Sequence, residues 1–438
     1  MSARAYVSRT PYDREILGLA AAALGSLAAE PLYVLVDTAI VGHLGRAELA
    51  ALGVAGIVLP GLFALFNFLA YATTSQVARA AGAGHRETAD RLGAQAFWLS
   101  LGIGVLLASF LAVFADPVVE AMGADGRTAE LAAEYVRIAS IGLPFAFLAL
   151  GGQGYLRGVG DLKTPLYILL AANAVNVVLE VLFVYGFDWG LAGSAWGTAV
   201  AQIGMGAAFV AVQVRLGREL FRPRLELARR LLRIGRHIFV RTTALYSSFV
   251  VAGAVIARFG DASIAAHQIA FQLWVFLALV LDAIAIAGQV IVGRMLGAGD
   301  EEGAYAASAR MIGLSVLVGA VFAGVMIALI DLLPRAFTGD SAVLDEARDI
   351  WPIFALMQPL NGAVFALDGI LIGAGDGRYL MWSMLVSGAA SVSVALIALQ
   401  LDWGIVGVWF ALLVLICVRL ATLGARFTRR RWLVTGWA

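Results

Sequence analysis

Cysteine is almost absent from this chain: Cys417 stands alone among 438 residues. One thiol excludes an intramolecular disulfide framework and a cysteine-built metal site. In an apolar run it reads as a small packing or lipid-facing residue. Lysine is as scarce, and the one lysine, Lys163, follows Leu162 where a phosphate-binding P-loop needs glycine. No soluble segment is large enough for a nucleotide-hydrolysing domain. The four histidines, His43, His85, His237 and His267, are scattered without metal-ligand spacing. Neither a metal nor a cofactor is therefore expected, and no Ser-His-Asp arrangement points to an enzyme. Charge is thin as well, at 14% of residues with a net charge of +1. That excludes nucleic acid or an acidic partner, because such binding needs a clustered basic excess.

What the chain has is hydrocarbon. It is 61% hydrophobic with a mean hydropathy of +0.88, far too apolar for a soluble globule. Runs of about 20 or more apolar residues, each long enough to cross ~30 Å of hydrocarbon, number twelve. They cover roughly 15–42, 51–78, 92–115, 131–156, 164–186, 192–214, 237–259, 264–293, 306–332, 347–373, 379–400 and 404–426. The fold class is an all-α polytopic membrane protein. The run after Arg4, Arg9 and Arg14 is long and lacks a cleavage signature, so it reads as a retained first helix.

Basic residues are retained on the cytoplasmic side. With the N-terminus inside, 25 of the 31 basic residues fall in cytoplasmic segments, among them nine arginines from Arg215 to Arg241, and also Arg294, Arg310, Arg378, Arg419 and Arg426. Both termini are then cytoplasmic. The expected organisation is an N-terminal lobe over 1–214, a cytoplasmic linker over 215–236 and a C-terminal lobe over 237–438.

The two halves are related. Gly45 pairs with Gly260, Arg79-x-x-Gly-Ala-Gly84 with Arg294-x-x-Gly-Ala-Gly299, and Gly158-x-Gly-Asp161 with Gly373-x-Gly-Asp376, all offset by 215. Offset by 214, Asp188-Trp-Gly190 with Gly193 meets Asp402-Trp-Gly404 with Gly407. An even helix count per unit makes the halves parallel, two pseudo-symmetric six-helix bundles about an axis along the membrane normal. The repeat also sorts the intramembrane polar residues. Asn67 pairs with Asp282 and Gln153 with Asp368, whereas Glu30, Asp37 and Glu180 meet Leu245, Ala252 and Ala395. Unpartnered protonatable groups concentrate in the first half.

A carboxylate inside a membrane is expensive and is a functional candidate by default. Taken out of water, a carboxyl group is favoured in its neutral form, so it can hold a proton when sealed and release it when hydrated. Asp37 leads these candidates. Asn173, Asn176 and Glu180 recur at spacings of three and four and form one polar stripe on an apolar rod. Thr198 and Gln153 join them, and Glu30 belongs either to the relay or to a hinge at Pro31, where a lost backbone bond permits a kink. Asp282 and Asp368, with Asn67 beside them, are further polar candidates for coupling, lid closing or helix tying. Structural hydrogen bonding between helices is the alternative throughout. Apart from Arg241, no arginine or lysine is expected in mid-membrane. Aromatic residues such as Phe63, Phe66, Phe271, Trp274 and Phe276 either line an amphiphile cavity or pack.

These features resemble the multidrug and toxic compound extrusion (MATE) family over essentially the whole chain. EPLYVLVDTAIVGHLG (30–45), RGVGDLKTP (157–165), NAVNVVLEVLFVYG (173–186) and ALDGILIGAGD (366–376) are similar to the branch of DNA-damage-inducible protein F. The resemblance implies a V-shaped pair of bundles, alternating access, and export of bulky, often cationic amphiphiles in exchange for H⁺ or Na⁺. In relatives of that branch an aspartate of the first helix and a polar cluster on helices four to six carry coupling, which falls here on Asp37, Gln153, Asn176, Glu180 and Thr198. Gln153 stands where some relatives have asparagine and Glu180 where many have aspartate. The seventh helix also lacks the acid of sodium-coupled relatives in another branch. Together these favour protons. The expectation is a monomeric, proton-coupled multidrug antiporter of a bacterial cytoplasmic membrane, in contact with lipid and small organic cations. A sodium-coupled antiporter, a flippase for lipid-linked saccharides, an ion channel and a membrane scaffold are the alternatives.

Overall fold

The computed structural model describes residues 10–214 and 222–437. Arg4, Arg9, Arg215, Arg218 and the first part of the expected linker, 215–221, lie outside the described residues. Every regular element among those described is a helix. The first half holds α1 (Asp13–Gly42), α2 (Arg46–Phe66), α3 (Phe68–Gly82), α4 (Arg86–Ala121), α5 (Gly126–Ser140), α6 (Leu143–Gly158), α7 (Lys163–Val181) and α8 (Gly190–Val214). The second holds α9 (Leu225–Ile256), α10 (Asp261–Gly297), α11 (Glu301–Ala328), α12 (Leu333–Phe337), α13 (Ser341–Leu356), α14 (Gln358–Gly373), α15 (Gly377–Gln400) and α16 (Gly404–Thr428). Hydrocarbon offers backbone groups no water, and a helix satisfies them within one segment. With α2 and α3 as one span there are 10 long apolar spans, and the bent pairs α5–α6 and α13–α14 bring the total to 12.

The two bends have one cause. Pro144 and Pro359, 215 residues apart, stand at the start of α6 and α14. A proline there removes a backbone donor and ends the preceding helix, and the pairs bend by 53° and 47°. Pro31, in contrast, sits inside α1, which continues as one helix to Gly42.

The repeat anchors are turns. Gly84 and Gly299 have φ of 80° and 81°, Gly160 and Gly375 have 86° and 76°, and Asp188 and Asp402 have 58° and 54°. These left-handed positions end helices without the clash that a side chain at most residues would bring. His85 N and Asp300 N donate to Ala80 O and Met295 O, and Asp161 N and Asp376 N to Leu156 O and Leu371 O, so the capping bonds repeat as well. The close packing repeats too, for a Cβ on Gly154 would lie 2.8 Å from Ala70 O, and one on Gly369 would run into Ala285 O.

Two compact units emerge. Among the described residues, one is Gly25–Gly235; the other holds those up to Leu24 and from Arg236 on. Helix α1 begins in the second unit and ends in the first. Its first turn is tied down there by ion pairs: Arg310 donates from Nε and Nη2 to the two oxygens of Asp13 at 2.9 and 2.7 Å, and Arg294 Nη2 reaches Glu15 at 2.7 Å. In the same unit Trp432 is fully buried and stacks on Phe427.

Candidate functional site

In the Gly25–Gly235 unit the polar side chains converge because two helices come unusually close. Gly193 and Gly197, four apart on α8, leave room for α7: a Cβ on Gly197 would stand 3.0 Å from Glu180 Cγ and 3.3 Å from Asn176 Oδ1. Small residues at this spacing are how membrane helices approach. Ser194 and Thr198 lie on the same helix one turn apart and face the gap, buried. Just past Glu180 the α7 backbone widens into a π-turn, Leu182–Gly186, a feature that often accompanies functional positions.

Helix α1 closes the group along one face. Asn173 Nδ2 donates to Ala29 O at 2.9 Å, Tyr33 Oη to Glu180 Oε1 at 2.6 Å, Ser194 Oγ to Asp37 Oδ1 at 2.7 Å, and Tyr185 Oη to Ile40 O at 2.6 Å. Positions 29, 33, 37 and 40 follow the helical spacing of three and four. Tyr33 Oη also lies 2.9 Å from Thr198 Oγ1. Since the phenol proton goes to Glu180, the threonine hydroxyl donates to it.

Asp37 and Glu180 are 5% and 0% exposed and close enough to act on each other electrostatically. Among the described residues neither forms an ion pair, and the hydroxyls of Tyr33 and Ser194 donate to them. Glu180 Oε2 and Asn176 Oδ1 are buried without a hydrogen-bond partner. Two carboxyl groups this near in a low dielectric repel when both are ionised, and one proton between them removes the repulsion.

Among the sequence candidates, Asp37, Asn176, Glu180 and Thr198 are thus brought together, and Asn173 ties α7 to α1 at its edge. Glu30 is exposed, whereas Asp37, two turns on, is buried. Pro31 is exposed as well. Gln153 is buried on α6 and accepts from Arg157 Nη2 at 2.9 Å, apart from the carboxyl pair. Asn67 marks the break between α2 and α3. Tyr33, Ser194 and the buried Tyr135 were not singled out from the sequence. Tyr33 stands one turn before Asp37 and Ser194 one turn before Thr198, so the i, i+4 spacing carried the signal.

The second unit is built differently. Asp368 on α14 is buried between Arg241 of α9 and Arg419 of α16, both of which donate to its Oδ2. Arg419, counted by sequence among the cytoplasmic basic residues, is 4% exposed inside its helix. Asp282 is half-buried on α10 and also engaged. Phe271 and Trp274 belong to an aromatic cluster with Phe249, while Phe276 is 63% exposed.

The MatE family profile matches residues 22–182 and 238–400. DNA damage-inducible protein F of Escherichia coli (strain K12) is 30% identical over 97% of this chain and 93% of its own length. Protein DETOXIFICATION 44, chloroplastic, of Arabidopsis thaliana is 30% identical over 93% of this chain and 80% of its own. The solved structure of a multidrug resistance MATE family transporter of the MOP superfamily, in an outward-facing conformation, has the same fold, with a TM-score of 0.86 at 21% identity and coverage of 98% and 99%.

Proposed function

We propose that this chain, which belongs to the MatE family, exports amphiphilic organic cations in exchange for protons, with the coupling in its first half. Members of that family are transporters and not enzymes, and the chain is a multi-pass efflux transporter of this kind. The observation that carries the proton reading is the buried pair Asp37 and Glu180, which accept from the hydroxyls of Ser194 and Tyr33 and have no ion-pair partner among the described residues. A proton taken by the pair cancels a charge that the surroundings do not compensate; its loss restores repulsion and favours hydration. Each proton moving down a membrane potential supplies about 2.3 kcal/mol per 100 mV. Tyr33 and Ser194 hold the two carboxyls in one hydrogen-bonded unit, so a change of protonation reaches α1, α7 and α8 together. The Glu30–Pro31 stretch is the proposed hinge of α1, and alternating access of two lobes, 1–214 and 237–438 joined by the linker 215–236, the proposed cycle. A bacterial cytoplasmic membrane with both termini inside is the proposed setting.

Sodium coupling is the second reading, and one observation favours it: Glu180 Oε2 and Asn176 Oδ1 are unpaired oxygens beside each other's helix turn, a ligand type that suits a hard cation. Efflux of a cationic dye from proteoliposomes, with a pH gradient and a Na⁺ gradient applied separately, decides. The pH gradient alone is expected to drive export; acceleration by the Na⁺ gradient alone overturns the proton reading, and ion current without dye points to a channel.

A further inference from the structure

The doubling of the chain lets one ion pair be compared with its counterpart. In the second unit Arg294, in the last turn of α10, meets Glu15, in the first turn of α1, at 2.7 Å. The offset of 215 carries Arg294 onto Arg79, in the last turn of α3, and Glu15 onto Arg230, near the start of α9. The packing is kept. Within the Gly25–Gly235 unit the start of α9 lies along α3: Arg230 Nε donates to Gln76 Oε1 at 2.8 Å, one turn before Arg79, and a Cβ on Gly235 would run into the Phe68 ring. Arg79 and Arg230 are close enough to act on each other electrostatically, and Arg233 acts on Arg230 in turn. Where one half joins its helices through a base and an acid, the other sets bases together. Like charges so placed repel, and an anion between them removes the repulsion.

The arginines belong to a built surface. Both ends of the buried Gln95 amide hold the chain just ahead of α9, Nε2 donating to Arg222 O at 3.2 Å and Oε1 accepting from Arg224 N at 2.8 Å. Arg79 is 6% exposed. From Arg222 to Gly235 the sequence has five arginines and one acid, Glu226. On the exposed face of α9, Leu225, Arg229, Leu232 and Arg233 fall at helical spacings of three and four, so apolar and cationic side chains share one surface. That mixture suits the boundary between acyl chains and headgroups. A soluble anion would engage the arginines and leave the leucines in water.

We propose that Arg79, Arg230 and Arg233 form a site for the phosphate of an anionic phospholipid whose acyl chains lie against Leu225 and Leu232. The phosphate does for α3 and α9 what the Glu15 carboxylate does for α10 and α1: it ties the start of one helix to the last turn of another. Basic pockets between membrane helices take such headgroups, and arginine matches phosphate through paired N–H donors.

The test is native mass spectrometry of the full chain in detergent, titrated with phosphatidylglycerol or phosphatidylcholine, with the melting temperature read in parallel. Phosphatidylglycerol is expected to fill one site about tenfold more tightly than phosphatidylcholine and to raise the melting temperature. Arg230→Glu rebuilds the arginine–acid pair of the second half, so it is expected to fold and to lose the preference for phosphatidylglycerol. Arg431→Glu, the same change of charge at an exposed arginine, should keep it. Equal binding of the two lipids by the parent overturns the proposal without any variant. So does a preference retained in Arg230→Glu or lost equally in Arg431→Glu, with Arg233→Gln supplying the comparison if Arg230→Glu does not fold. Displacement of phosphatidylglycerol by an equal concentration of sn-glycerol 3-phosphate, which has the phosphate without acyl chains, assigns the site to a soluble anion and overturns the lipid. None of these measurements involves transport, so the exchange reading stands or falls separately.

Discussion

The two halves of this chain share turns, bends and glycine contacts residue for residue, yet they treat buried carboxylates in opposite ways. In the first, Asp37 and Glu180 sit together among hydroxyls and an amide, with no cation among the described residues bonded to either. In the second, Asp368 carries two guanidiniums. A carboxylate compensated by arginine gains little from a proton, whereas an uncompensated pair gains much. One scaffold therefore supports two chemistries, a protonatable site and a fixed-charge site, because the repeat governs backbone geometry and leaves the inward-facing side chains free to diverge.

The largest effect that sharpens this contrast is expected from Asp37→Asn, which should abolish gradient-driven dye export while the protein still inserts; normal export and exchange by the variant in proteoliposomes would end the assignment. Asp368→Asn should act on stability instead. Stripping the shared carboxylate from two buried arginines costs about 3–5 kcal/mol, read as a lower melting temperature in detergent, with part of it regained in the double variant Asp368→Asn/Arg419→Gln. A single variant as stable as the parent breaks the contrast. Gly197→Ala places a methyl 3.0 Å from Glu180 Cγ and should cost about 1–3 kcal/mol by overpacking, with export slowed because α7 and α8 are pushed apart. Smallest is Tyr33→Phe, which removes two hydrogen bonds of the cluster. It should cost about 1 kcal/mol and reduce the rate of proton-driven exchange without eliminating it; unchanged exchange kinetics would detach Tyr33 from the coupling group.

Much of the fold was legible in the sequence. Each apolar run became a span because backbone satisfaction in hydrocarbon leaves few alternatives, and Gly84, Gly160, Asp188 and their counterparts were visible as anchors because left-handed turns restrict residue choice. Asn176 and Glu180 were legible as a stripe on one helix for the same reason: periodicity is a property of a single element. That Glu30 is exposed while Asp37 is buried was not legible, because which part of α1 meets α7 depends on the partner helix. Tyr33 and Ser194 were overlooked because a hydroxyl in an apolar helix is ordinary until a carboxyl is found across from it. The burial of Arg419 was not legible because a count of charges along the chain cannot tell an exposed basic residue from one drawn inward to a carboxylate.

The sequence by itself determined the twelve spans, the doubled plan and the unequal distribution of acids, since these follow from hydrophobic length, turn chemistry and residue identity along one chain. Only the tertiary structure decided which acids are compensated. Pairing is a matter of a few ångströms between helices far apart in sequence: Gly197 lets Glu180 reach Tyr33 and Asp37, and the packing of α9, α14 and α16 delivers two arginines to Asp368. The energy of a buried charge depends on those distances far more steeply than on anything the chain spells out locally.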